Sequence, residues 1–174
     1  RAIIHSSNVY FYQLANDMGV NAIHDFMKPL GFGQITGIDI PGEMRGVLPS
    51  TDWKRATYRR PEQQKWYAGE TISLGIGQGY NNFTMLQLAG AVATLAAGGV
   101  RHVPHVVQAL QDPVTQQFSA APQPPAQPLG YAPQNVALVR RAMVGVTQEG
   151  TSRAVFIGAP YLSGGKTGTA QAVT

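Results

Sequence analysis

Cysteine is absent from this chain, which excludes disulfide bridges, thiol nucleophiles and zinc sites built on thiolates. Charge is scarce too. Asp, Glu, Lys and Arg make up 13% of the residues, about half of the roughly 25% usual for soluble domains. Gln, Asn, Ser, Thr and Gly must therefore supply much of the polar surface, which argues against a charged, disordered tail. No apolar run approaches the roughly 18 residues needed to span a bilayer, and Arg1-Ala2-Ile3-Ile4-His5 lacks the regions of a signal peptide. The first residue is not Met, and the expectation is an excised segment of a longer protein. No internal repeat is visible.

What remains is a globular composition. With 174 residues and 44% hydrophobic content, the chain has enough apolar material for one core. The net charge is +4, and Lys54, Arg55, Arg59, Arg60 and Lys65 crowd into one short stretch. That stretch has neither an amphipathic period nor a nucleic-acid motif, so it reads as a solvated basic loop and no nucleic-acid partner is expected.

Apolar periodicity and glycine stops predict a helix over Val9 to Met18 closed by Gly19. A second helical stretch follows over residues 20 to 30, with Val20, Ile23, Phe26, Met27 and Leu30 on one side and Gly31 and Gly33 at its end. Residues 36 to 53 read as short strands and loops, including Ile38-Asp39-Ile40 and a turn at Pro49-Ser50-Thr51-Asp52. Ser73 to Tyr80 superficially matches a phosphate loop but lacks the Gly-Lys-Ser/Thr ending, and it reads as a tight turn feeding the next helix. That helix opens on a Thr84/Gln87 capping box, runs through Met85, Leu88, Ala89, Val92 and Leu95 to Gly98-Gly99, and its alanines suggest close core packing. Val103 to Leu110 reads as a strand, Asp112-Pro113 as a turn and Val114 to Phe118 as the partner strand. A Pro, Gln and Ala loop follows. A last helix is expected from Pro133 to Gln148, with Val136, Val139, Met143 and Val146 on one face. Tyr161 to Val173 reads as a strand. Helices clustered beside hairpins favour an α+β fold with an antiparallel sheet.

Two short motifs carry the chemistry. Ser6-Ser7-Asn8 taken alone reads as a helix-capping group. Lys166-Thr167-Gly168 suits a carboxylate: a positive field, a hydroxyl donor, and a glycine that lets a ligand approach the backbone. Together, in this order, they fit the Ser-x-Asn and Lys-Thr-Gly motifs of penicillin-binding proteins and serine β-lactamases. The text between them agrees: Phe32-Gly33, Thr36-Gly37-Ile38-Asp39, Gly42-Glu43, Gly46-Val47-Leu48-Pro49, Gly75 to Gly79 and Gly164 to Gln171. The chain resembles class B penicillin-binding proteins over nearly its whole length. Tyr10-Phe11-Tyr12, Gly69-Glu70-Thr71 and Gly77-Gln78-Gly79-Tyr80 are most similar to the cell-elongation members.

The resemblance implies a partial transpeptidase fold, an antiparallel sheet with a helical cluster. Residues 1–174 would start after the family's Ser-x-x-Lys motif and end just after the Lys-Thr-Gly strand. No Ser-x-x-Lys nucleophile motif is expected anywhere in residues 1–174, and the family carries it upstream of Ser-x-Asn, so the nucleophilic serine and its paired lysine are expected to lie outside this chain. The implied activity is peptidoglycan D,D-transpeptidation, with the fragment alone inactive. Ser6 would relay a proton to the departing amine, Asn8 would hold the catalytic lysine and a substrate carbonyl, and Lys166 would keep the local potential positive. Thr167 would bind the substrate's terminal carboxylate, beside Gly168, and the Thr169 N–H would form half of an oxyanion hole.

Implied partners are stem peptides ending in D-Ala-D-Ala, β-lactam antibiotics and, through the parent protein, the membrane glycosyltransferase of the elongation machinery. The implied location is the periplasmic face of the inner membrane. No cofactor is implied and no metal is expected, because His102 and His105, three apart in a strand, would face opposite sides. His5, Trp66, Tyr67 and Tyr80 read as packing or surface groups as readily as groove-lining ones. Two alternatives stay open: a non-catalytic module that binds stem peptides or elongation partners, and a serine D,D-carboxypeptidase or β-lactamase.

Overall fold

In the computed structural model, which describes residues 1–169, glycines end the first helical elements where the sequence places them. Helix α1, Asn8–Met18, stops at Gly19, whose φ of 75° is open to glycine and strained for other residues. Helix α2, Val20–Met27, runs into a 3-10 turn at Lys28–Leu30 closed by left-handed Gly31. Further on, α6 (Met85–Ala96) has the expected capping box: the Thr84 hydroxyl accepts from the Gln87 N–H, and the Gln87 side chain accepts from the Thr84 N–H.

Gln87 does more than cap. It is 1% exposed, and its Nε2 donates to the carbonyls of Gln34 at 2.6 Å and Arg45 at 2.7 Å. One polar side chain thus pins the irregular segment after Gly31 onto the helix, satisfying main-chain groups that no sheet satisfies. Around it lies the core of Leu30, Phe32, Leu48 and Ala91, flanked by Met27, Phe83, Leu129 and Tyr131. The rings of Phe32 and Phe83 sit 4.5 Å apart. The close packing expected of α6 holds on the side of Gln87, Ala91 and Thr94, whereas Met85, Leu88 and Val92 are exposed.

Residues 36 to 53 contain no regular strand; an isolated antiparallel bridge joins Val47 to Asn82. Ile38-Asp39-Ile40 is irregular because Asp39 works as an anchor, its carboxylate accepting the N–H groups of Val106 and Val107 at 2.8 Å each. Ser50, expected in a turn, is the N-cap of α3 (Thr51–Thr57), its hydroxyl accepting from Trp53 N–H at 2.9 Å. Two further short helices, α4 (Pro61–Gln64) and α5 (Ala68–Leu74), complete a helical patch that periodicity does not reveal. Four to seven residues are too few to display a 3.6-residue period.

The basic stretch also departs from expectation. Lys54 is 3% exposed. Its ammonium donates to the Lys65 carbonyl at 2.8 Å and to the Glu70 carboxylate, and it lies 5.3 to 5.5 Å from the ring centroids of Trp66, Tyr67 and Tyr80. Lys54 thus organises a partly exposed aromatic cluster, whereas Arg55, Arg59, Arg60 and Lys65 are exposed as a solvated stretch would have them.

The strands are shorter than expected. Among the described residues β1 (Val100–Arg101) pairs antiparallel with β4 (Gln127–Pro128), and β2 (Ala109–Gln111) with β3 (Phe118–Ala120). Val103 to Gln108 is irregular, so the opposite-faces argument about His102 and His105 does not apply. The partner strand begins at Phe118 because Asp112 caps the turn, accepting from the N–H groups of Val114 and Thr115, and Gln116 adopts φ 60°. Helix α7 spans Pro133–Gln148 as predicted and buries Val136 and Val146, and a short α8 follows at Arg153–Phe156. Tyr161 to Thr169 forms no ladder with any described residue; the remainder of that predicted strand, Ala170 to Val173, lies outside the described residues. Helices beside small antiparallel pairs make an α+β fold. Among the described residues, no helix is long and apolar enough to cross a membrane.

Candidate active site

Helix α7 is the scaffold on which the two motifs meet. Gly145 lies in its last turn and Gly150 just beyond its end, and Ile4 occupies the space a side chain would take at either: a Cβ on Gly145 would come within 2.7 Å of the Ile4 Cδ1. This seats the segment before α1 against α7. On its other flank α7 holds the Lys-Thr-Gly segment. Gly165 N–H donates to the Met143 carbonyl at 3.1 Å, and the Thr147 hydroxyl donates to the Ser163 carbonyl at 2.7 Å.

Between those anchors Lys166 Nζ donates to Ser6 Oγ at 2.7 Å, spanning 160 positions of sequence. The same ammonium reaches the Thr167 carbonyl at 2.7 Å and the Thr167 hydroxyl at 3.4 Å. Burial by its neighbours lowers the Lys166 ammonium from its ordinary value by disfavouring the charged form. Ser6 has φ 52°, a left-handed conformation uncommon outside glycine, asparagine and aspartate. Strain of this kind persists where surrounding contacts hold it.

The helix-capping reading of the first motif does not hold. The residue at the N-cap of α1 is Ser7, and it makes no side-chain capping bond. Asn8 is the first helical residue and is exposed, one residue beyond the cap. Thr167 Oγ1 lies 3.0 Å from Thr151 Oγ1, and a Cβ at Gly168 would meet nothing within 4 Å. Open space at Gly168 leaves the backbone free to approach a ligand. The structure therefore joins Ser6 directly to Lys166, and through that ammonium to Thr167, and leaves Asn8, Gly168 and Thr169 exposed.

One sequence expectation needs correction. A Ser-x-x-Lys spacing does occur, at Ser163-Gly164-Gly165-Lys166, but it shares its lysine with Lys-Thr-Gly. Lys166 turns to Ser6, and Ser163 is fastened to Thr147 through its main chain. This is not a second nucleophile motif. Two residues that motif reading passed over also touch the site: Thr151 at Thr167, and Gln78, whose Nε2 donates to the Thr169 carbonyl at 3.3 Å. The available signal for Gln78 is its place in the Gly77-Gln78-Gly79-Tyr80 run that carries the family resemblance; in the structure both flanking glycines take positive φ.

Among the described residues no group of three His, Asp or Glu side chains is placed to hold a metal ion. The serine, lysine and threonine groups instead form a hydrogen-bonded wall able to move a proton and to bind an anion.

Residues 1–174 match the penicillin binding protein transpeptidase domain over their whole length. The chain is 42% identical over 171 residues to the peptidoglycan D,D-transpeptidase MrdA of Acinetobacter baumannii, covering 98% of this chain and 25% of that protein. It is 39% identical over 179 residues to the MrdA of Haemophilus influenzae, covering 98% and 26%. The crystal structure of Pseudomonas aeruginosa PBP2 in complex with WCK 5153 superimposes with a TM-score of 0.83 at 38% identity, over 98% of this chain and 37% of that one. The chain thus spans about a quarter of the length of the curated relatives it matches. With the paired motifs in contact and residues 1–174 matched throughout, the chain belongs to the penicillin-binding protein transpeptidase domain family.

Proposed function

We propose that this chain is part of a peptidoglycan D,D-transpeptidase of the cell-elongation type and forms one wall of its active site. The observation that carries the reading is the 2.7 Å contact from Lys166 Nζ to Ser6 Oγ, which unites the two family motifs. In this reading a serine contributed by sequence outside residues 1–174 attacks the penultimate D-alanine carbonyl of a stem peptide. D-Alanine leaves with a proton relayed through Ser6, and the acyl group passes to the amine of a neighbouring stem. Asn8 holds the partner lysine and the substrate's peptide carbonyl. Lys166 supplies positive potential, Thr167 receives the substrate's terminal carboxylate beside Gly168, and the Thr169 N–H contributes half of an oxyanion hole.

Stem peptides ending in D-Ala-D-Ala and β-lactams are the ligands of this reading, and the elongation machinery's membrane glycosyltransferase is the partner of the complete protein. Its location is the periplasmic face of the inner membrane. A fluorescent penicillin tests the proposal. A full-length protein carrying this chain should be labelled covalently, and residues 1–174 alone should not. Stable labelling of residues 1–174 alone would refute the placement of the nucleophile outside them, and an unlabelled full-length protein would refute the transpeptidase reading.

A further inference from the structure

The turn over Gly75 to Tyr80 touches both halves of the site at points away from the Ser6–Lys166 contact. At its start, Gly75 sits against α1, the helix that begins at Asn8. A Cβ there would come within 2.6 Å of both the Ala15 Cβ and the Phe11 carbonyl, so only a glycine allows the turn to lie this close. At its crest, Gln78 Nε2 donates to the Thr169 carbonyl at 3.3 Å, 91 positions away. The turn itself is rigidly built. Gly77 N–H donates to the Leu74 carbonyl at 2.9 Å, Gln78 N–H to the Ser73 carbonyl at 3.0 Å, and Gly77 and Gly79 take φ of 78° and 70°. Its far end is fastened by Tyr80, whose hydroxyl donates to Glu70 Oε1 at 2.8 Å and whose ring lies 5.2 Å from that of Trp53.

From this geometry we propose that Gln78 is a positioning residue of the transpeptidase site, holding the Thr169 carbonyl and thereby orienting the Thr169 N–H toward the reacting carbonyl. The proposal rests on the function read above. Steric exclusion leaves a non-glycine residue such as Thr169 only a few allowed φ/ψ wells, so holding its carbonyl in one direction narrows the directions its N–H can take. A donor aimed at the developing oxyanion acts on the transition state more than on the bound ground state. Gln78 therefore acts through Thr169 and controls the acylation step rather than the initial capture of ligand.

The test uses a full-length protein carrying this chain, with a fluorescent penicillin as probe and stopped-flow separation of non-covalent affinity from the acylation rate constant. Gln78→Ala should lower the rate constant roughly ten-fold, less than outright removal of an oxyanion donor, while leaving affinity within about two-fold. Gln78→Glu supplies the second readout. Its protonated carboxyl can donate to the Thr169 carbonyl and its carboxylate cannot. Relative to wild type at each pH, this variant should be slower than Gln78→Ala at pH 8, and its deficit should shrink as the pH falls towards about 4.3, the ordinary glutamate range. Unchanged acylation in Gln78→Ala, a loss confined to affinity, or a flat pH ratio for Gln78→Glu would each overturn the role. Wild-type protein that fails to acylate would refute the transpeptidase reading itself, and this role with it.

Discussion

Lys54 and Glu70 form an ion pair within an aromatic cluster, the lysine side chain 4% and the glutamate side chain 21% exposed. Trp66 Nε1 donates to the Thr71 hydroxyl at 2.8 Å beside them, and the rings of Trp53, Tyr58, Trp66 and Tyr80 contact one another. This pair ties α3 to α5 and thereby fixes the start of the Gly75–Tyr80 turn.

Removing one partner of such a pair leaves the other charge buried without compensation. Lys54→Met should destabilise the transpeptidase domain by about 3 kcal/mol, at the lower end of the range for broken buried pairs because Glu70 keeps some access to water. Thermal or urea unfolding of a full-length protein carrying the chain measures this. A loss under about 1 kcal/mol would show that the cluster holds together without the ammonium.

The pair also sets an acid limit. Burial raises the Glu70 pKa, but donation from Lys54, the Tyr67 N–H and the Tyr80 hydroxyl outweighs it, and the net position is below the ordinary 4.5. A carboxyl depressed on folding contributes stability above its unfolded pKa and loses it as pH falls through the folded value. Glu70→Gln should therefore be less stable than wild type at pH 7, and the gap should narrow below about pH 4.5. Melting temperatures taken from pH 7 to pH 3 decide it; a constant gap would assign the loss to geometry instead of charge.

At the active site, Ser6→Ala in the full-length protein should slow acylation by a fluorescent penicillin by roughly 10²- to 10⁴-fold, the usual worth of a positioned proton-transfer group. Retention of more than about a tenth of the rate would remove Ser6 from the proton relay.

Lys166 supplies a complementary pH signature. Its ammonium is lowered from the ordinary 10.5 by burial, so its charge is lost at a lower pH than that of a free lysine. The acylation rate should decline on the alkaline side before pH 10.5. Lys166→Arg, which stays charged, should abolish that limb while lowering the maximum, because a guanidinium fork cannot reproduce the single-point contact with Ser6. Coincident alkaline limbs in the two proteins would assign the titration to another group.

Gln87 offers a test away from the chemistry. Gln87→Leu keeps the volume but strands the Gln34 and Arg45 carbonyls and the Thr84 N–H, and it should cost about 3 kcal/mol. Urea unfolding measures the loss, and a near-neutral result would mean that water replaces all three bonds.

Much of this architecture was legible in advance, for identifiable reasons. The Thr84/Gln87 capping box, the Gly19 stop and the span of α7 are local signals, written within a few residues. Ser6 and Lys166 were picked out as motifs, and their contact required only that the motifs meet. What escaped was non-local. The burial of Lys54 depends on Glu70 and on aromatic groups up to Tyr80, none of which alters the local pattern of a basic loop. Likewise Asp39 forgoes strand pairing to accept N–H groups from Val106 and Val107, 67 and 68 positions away. Gln78 is legible as part of the Gly77-Gln78-Gly79-Tyr80 run that carries the family resemblance, but not as a contact of the site, because its partner at Thr169 is 91 positions away.

The Lys166–Ser6 contact has a consequence for biosynthesis. Its two ends are 160 positions apart, and chains emerge from ribosomes at roughly 5–20 residues per second. Ser6 therefore exists for roughly 10–30 s before the lysine that grips it has been made. During that interval the growing chain cannot bring the two motifs into contact. A chain truncated anywhere between the two motifs would keep Ser6 but lack the ammonium that grips it.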